Sequence, residues 1–137
     1  MNIVYLPHTA DIRMGIQGSD LMELFQAGAI GMGNILKEGI CEKKARGPIK
    51  YKIEIKAVDP TCLLIDFLSE ILSTSYVEKA VFCKVKFLKL THETAIAEIQ
   101  GVQVEEFDEE IKAVTYHEAD VHRTDNGHWE TMVIFDI

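Results

Sequence analysis

YKIEIKAVDPTCLLIDFLSEIL, residues 51–72, changes its period within a few residues. Ile53, Ile55 and Ala57 alternate with Lys52, Glu54 and Lys56, which predicts a strand with one apolar and one charged face. Asp59-Pro60 ends that repeat. Asp suits a helix cap and Pro the first helical position, where its missing N–H breaks no bond. Leu64, Phe67, Leu68, Ile71 and Leu72 then recur at helical spacing and predict a helix to about Tyr76.

The same theme occurs upstream. Ile12 to Gln17 reads as a strand ending at Gly18, and Leu21, Leu24, Phe25, Ala29, Met32 and Leu36 mark a helix from about Asp20 to Leu36. Ser19 or Asp20 can cap it, and Glu23 stands in capping-box position to Asp20. Gly28, Gly31 and Gly33 each weaken a helix by roughly 1 kcal/mol relative to Ala, so their expected use is close packing on a sheet. Residues 37–48 read as a loop.

Downstream, Val81, Cys83, Val85 and Phe87 alternate with Lys84 and Lys86 in a strand. Thr91-His92 is a turn, and Ala95, Ala97 and Ile99 mark its partner strand. Residues 111–123 are strand-like, Asp125-Asn126-Gly127 is a hairpin signal, and Glu130 to Ile137 forms the last strand. The order β-α-β-α-β-β-β-β with short links predicts a two-layer α+β domain, a mostly antiparallel sheet carrying two packed helices. Residues 1–137 are expected to form one domain.

Composition narrows the function. Fourteen Lys+Arg stand against 22 Asp+Glu, a formal charge of −8. Nucleic-acid binding rests on neutralising phosphates, so strong direct binding is not expected, with a local basic patch left open. The acidic run Glu105, Glu106, Asp108, Glu109 and Glu110 reads as solvated surface. Cys41, Cys62 and Cys83 are odd in number and lack a CxxC pair, which argues against a disulfide framework and a zinc site. Cys62 and Cys83 sit in apolar contexts and read as core. No apolar run approaches the roughly 18 residues of a membrane span, and no signal-peptide pattern is visible. The expectation is a reduced cytoplasmic protein.

Chemistry-bearing residues are few. His8-Thr9-Ala10-Asp11 precedes the first strand, and Asp136 shares a strand face with Met132 and Ile134. If the first and last strands are neighbours, Asp11, Asp136 and the terminal carboxylate of Ile137 converge into an all-oxygen cluster. Such a cluster suits calcium or magnesium, with manganese also possible. Lys112 is the basic residue placed to orient it. His117, His122 and His128 do not reproduce a zinc spacing, and Asp66 and Glu70 read as solvated helix surface.

His8-Thr9-Ala10-Asp11-Ile12, Leu64 to Leu72, Lys112-Ala113-Val114-Thr115-Tyr116-His117 and the terminal Phe135-Asp136-Ile137 together resemble the archease family across nearly the whole chain. The resemblance implies an accessory protein of the GTP-dependent RNA-splicing ligase that joins tRNA halves. It implies a non-enzyme that promotes ligase guanylylation and repeated turnover. It also implies a divalent-ion site, calcium first, with Asp11, Asp136 and Ile137 as ligands and Lys112 as a further functional residue. Arg13 stands where the family often has Gly, and Glu118-Ala119 replaces its usual Gly-Leu. The alternative from the residues is a metal-dependent phosphoester hydrolase using the same carboxylates, with His8 as base. A general chaperone with a structural cation is a third reading.

Overall fold

The computed structural model describes residues 1–6, 11–43 and 49–137. The elements run β1 (Asn2–Leu6), β2 (Asp11–Gly18), α1 (Leu21–Leu36), α2 (Ile40–Lys43), β3 (Ile49–Lys56), α3 (Pro60–Glu78), β4 (Ala80–Leu90), β5 (Thr94–Gln103), β6 (Ala113–Thr115), β7 (His122–Arg123) and β8 (Trp129–Asp136). One sheet has the order β1-β2-β8-β6, with β7 also on β8; the other has the order β3-β5-β4. Every pairing is antiparallel. The predicted α+β class holds, with the strands divided between two sheets.

Both long helices begin where capping chemistry places them. Asp20 accepts the Glu23 amide at 2.8 Å, while the Glu23 carboxylate reaches back to the Ser19 amide at 3.1 Å. Asp59 accepts the Cys62 amide at 2.8 Å, and Pro60 opens α3. Two glycines of α1 explain why the helix tolerates them. A Cβ at Gly28 would lie 3.3 Å from Leu68 of α3 and 3.4 Å from Ile16 of β2, and one at Gly31 would strike Met14 of β2. A side chain at either position would force these neighbours to shift.

The core lies between these helices and the inner faces of both sheets. Phe25 of α1, Phe67 of α3 and Phe87 of β4 form an aromatic triangle with centroid separations of 5.7, 6.1 and 5.5 Å. Phe25 and Phe67 are fully buried, as are Met14, Leu64, Ile99 and Phe135. One apolar cluster thus joins the two strand-helix units to the later strands.

Five expectations change. β1 is an additional edge strand whose consecutive Ile3, Val4, Tyr5 and Leu6 carry no alternation to announce it. The segment read as a loop contains α2, held by a Cys41–Cys83 disulfide. This corrects the all-reduced reading: the two cysteines are 42 residues apart and meet only because α2 packs on β4. Cys62 is the free cysteine and is half-buried rather than core. Finally, residues 111–123 are not one strand. The chain pairs with β8 as β6, turns out at Tyr116–Ala119, and returns as β7.

Candidate functional site

β2 begins at Asp11 and β8 ends at Asp136, and the ladder between them pairs these two residues directly. Alternation turns Met14, Ile16, Val133 and Phe135 into the core, so Asp11 and Asp136 share the outer face of the sheet. Directly opposed residues on antiparallel strands have Cβ atoms about 4.5–5.5 Å apart. Ala113 of β6 flanks Asp136 on its other side, and the Lys112 amide donates to the Asp136 carbonyl at 2.7 Å. Ile137 is half-buried against the core. Asp11, Asp136, Ile137 and the Lys112 backbone therefore meet at one end of the sheet. His8, Thr9 and Ala10 lie outside the described residues.

A cavity of about 650 Å³ opens at the same end, with Asp11 on its lining beside Tyr5, Asn34, Glu38 and Glu42. That volume is in the range of small-molecule sites. Two like charges placed opposite each other on neighbouring strands destabilise the ladder, and a hard cation relieves that repulsion with oxygen ligands alone. The donor chemistry fits such an ion. Among the described residues no group of three or more His, Cys, Asp or Glu is arranged to hold a metal. A site here thus depends on Asp11, Asp136 and oxygen from Ile137.

The two departures from the family pattern meet each other. Glu118 has φ +57°, the left-handed region that glycine enters without a side-chain clash. Its carboxylate receives Arg13 Nη2 at 2.7 Å. The Arg13 charge, on the same face as Asp11, is directed to Glu118.

Asp66 accepts a hydrogen bond from the Tyr116 hydroxyl, tying α3 to the end of β6. This bond, then burial, pushes the Tyr116 phenol up to about 12. Asp66 is therefore not simply solvated helix surface, a role its spacing from Glu70 does not reveal. Asp108 is a second correction. Its carboxylate accepts the Glu38 amide at 3.0 Å and pairs with Lys37 at 3.2 Å, while its own amide donates to the Leu36 carbonyl at 2.7 Å. The acidic run is pinned to the end of α1 at this residue.

Among the described residues the histidines do not assemble into a ligand set. His122 contacts the Asp120 carbonyl at 2.7 Å and the Glu130 carboxylate at 3.1 Å, and the first of these leads in raising its pKa. His92 stands edge-on to Trp129 with centroids 5.9 Å apart. His117 is exposed.

The fold and the opposed carboxylates define a small antiparallel α+β protein with a polar site where β2 and β8 meet. The archease protein family (MTH1598/TM1083) matches residues 4–137. The chain is 33% identical over 141 residues to protein archease of Methanosarcina barkeri, covering 97% of this chain and 94% of that protein. It is 31% identical to protein archease of Thermococcus kodakarensis, covering 95% and 94%. The solution structure of Methanobacterium thermoautotrophicum protein 1598 superposes with a TM-score of 0.78 at 26% identity, over 98% of each chain. The chain belongs to the archease family. A 2.0 Å crystal structure described as an archease, possible chaperone, from Thermotoga maritima shares the fold, with a TM-score of 0.62 at 21% identity over 96% of this chain and 94% of that one.

Proposed function

We propose that this protein is a non-enzymatic accessory factor of a GTP-dependent RNA-splicing ligase, promoting guanylylation of the ligase and its repeated turnover. Family membership supports the accessory role. The observation that carries the site is the direct pairing of Asp11 with Asp136 at the end of the sheet. In this reading Asp11, Asp136 and an Ile137 oxygen hold a divalent cation, calcium first and magnesium or manganese as substitutes. The ion supplies charge at the docking tip. The carboxylates fix its position, and Lys112 orients the tip against the ligase. The protein acts in the cytoplasm.

The test is guanylylation of the cognate ligase with GTP, with and without this protein. Wild type is expected to accelerate label incorporation and to raise the number of ligation cycles per ligase. Asp136→Ala and Asp11→Ala are expected to lose that stimulation while retaining the fold. A wild-type protein that leaves the ligase unchanged overturns the reading. Equal stimulation by the Asp136→Ala protein removes Asp136 from it.

A further inference from the structure

The −8 charge of the chain conceals a strongly polarised surface. In the β3-β5-β4 sheet, cross-strand partners set Lys50, Gln100 and Lys84 in one row, then Lys52, Glu98 and Lys86, then Glu54, Ile96 and Lys89, with Lys56 opposite Thr94. Partners in register share a face, and this face is opposite the one formed by Ile53, Ala95, Ala97, Ile99 and Val85 against the helices. All six lysines are exposed. They face only two carboxylates, Glu54 and Glu98, an excess of four positive charges. The rest of the chain then holds eight Lys+Arg against twenty Asp+Glu.

Lysines on edge strands discourage sheet-to-sheet association. Here three lysines stand on each edge with the same sign on both, in a chain rich in acids. Among the described residues none of the six has an ion pair within 4.0 Å. Glu98, opposite both Lys52 and Lys86, and Glu54 offset only part of their mutual repulsion.

The geometry has a direction. The lysine rows flank the central strand and, at the usual strand separation, are about 10 Å apart. Between them lies a trough of about 270 Å³ lined by Lys50, Lys84, Lys86, Glu98 and Gln100. Lys50 and Lys52 on β3, and Lys84 and Lys86 on β4, stand about 6.7 Å apart, the two-residue repeat of a strand. Among the described residues no aromatic side chain and no arginine stands on this face. It offers point charges for phosphates, without platforms for stacking bases or forks for base edges.

We propose that the outer face of the β3-β5-β4 sheet binds the sugar–phosphate backbone of single-stranded nucleic acid, without sequence preference. The acids elsewhere do not forbid this, because at physiological salt charges are screened over about 8 Å. Only groups near the trough then act on a bound strand. The proposal does not depend on the ligase reading, since it concerns this chain alone and a different face from Asp11 and Asp136.

The test is fluorescence anisotropy of the full chain with two labelled single-stranded RNAs, oligouridine and a mixed sequence, across a salt series. Both RNAs are expected to bind equally, with affinity falling steeply with salt. Lys84→Glu/Lys86→Glu should weaken binding about tenfold or more. Lys84→Gln/Lys86→Gln should reduce the log–log salt slope by about 1.4, at about 0.7 for each single-strand phosphate no longer neutralised. Thermal melting of both variants verifies the fold, and the neutral pair serves if the reversed pair unfolds. Absence of RNA binding at low salt and submillimolar protein overturns the proposal, as does binding indifferent to both double variants. Polyglutamate bound as tightly as RNA would overturn it in favour of an acidic protein partner.

Discussion

Asp11 and Asp136 occupy directly opposed positions in an antiparallel ladder, so a cation held by one carboxylate is within reach of the other. Calcium is therefore expected to raise the melting temperature of the wild-type protein. A ligand at a hundred times its Kd stabilises the native state by about 2.7 kcal/mol. Asp136→Asn should abolish most of that rise while melting close to wild type in chelator. Melting curves with and without calcium check this, and an undiminished calcium shift in the variant contradicts it.

Cys41 and Cys83 close a loop across 42 residues and fasten α2 to β4. By loop-closure entropy such a crosslink stabilises by about 4 kcal/mol. The oxidised, denatured chain should expose one reactive thiol, Cys62, and the reduced chain three. Reduction, or Cys41→Ser/Cys83→Ser, is expected to lower denaturant stability by an amount of that order. Thiol titration and urea unfolding under both redox conditions provide the measurement. Three reactive thiols without reductant would remove the crosslink.

Two ion-pairing groups give the stability opposite pH slopes. The Glu38 amide, then Lys37, hold the Asp108 carboxyl below its ordinary 3.8. Its contribution is present above that value and is lost as pH falls through the lowered pKa. The Asp120 carbonyl leads in raising His122 above 6.5, against a lesser opposing effect of burial and with help from Glu130. Its contribution is complete below 6.5 and is lost as pH rises through the raised value. NMR titration should therefore find His122 above 6.5, and Glu130→Gln should bring it down. Asp108→Asn should flatten the acid limb of the stability curve and leave the neutral limb unchanged.

Local rules carried much of this fold in the sequence. Asp59-Pro60 announced α3, Asp20 capped α1, and the glycines of α1 marked its close seating, because capping and packing at these positions involve residues within a turn or a helix face. β1 and α2 escaped notice for the converse reason. β1 has no alternation because an edge strand is covered unevenly, and α2 is four residues long. The left-handed Glu118 and its partner Arg13 stood out as departures from the family pattern, but 105 residues separate them.

The sequence by itself determined the α+β class, the boundaries of both long helices, the pool of acids for the site and the family to which the chain belongs. These follow from short-range periodicity, caps and motifs that survive without a third dimension. Only the tertiary structure decided that Asp11 faces Asp136, that Cys41 meets Cys83, that Asp108 ties down α1, and that six lysines gather on one sheet face. Each of these depends on strand register or on contacts between distant segments. A net charge sums over the chain, whereas a binding surface depends on where folding sends each sign.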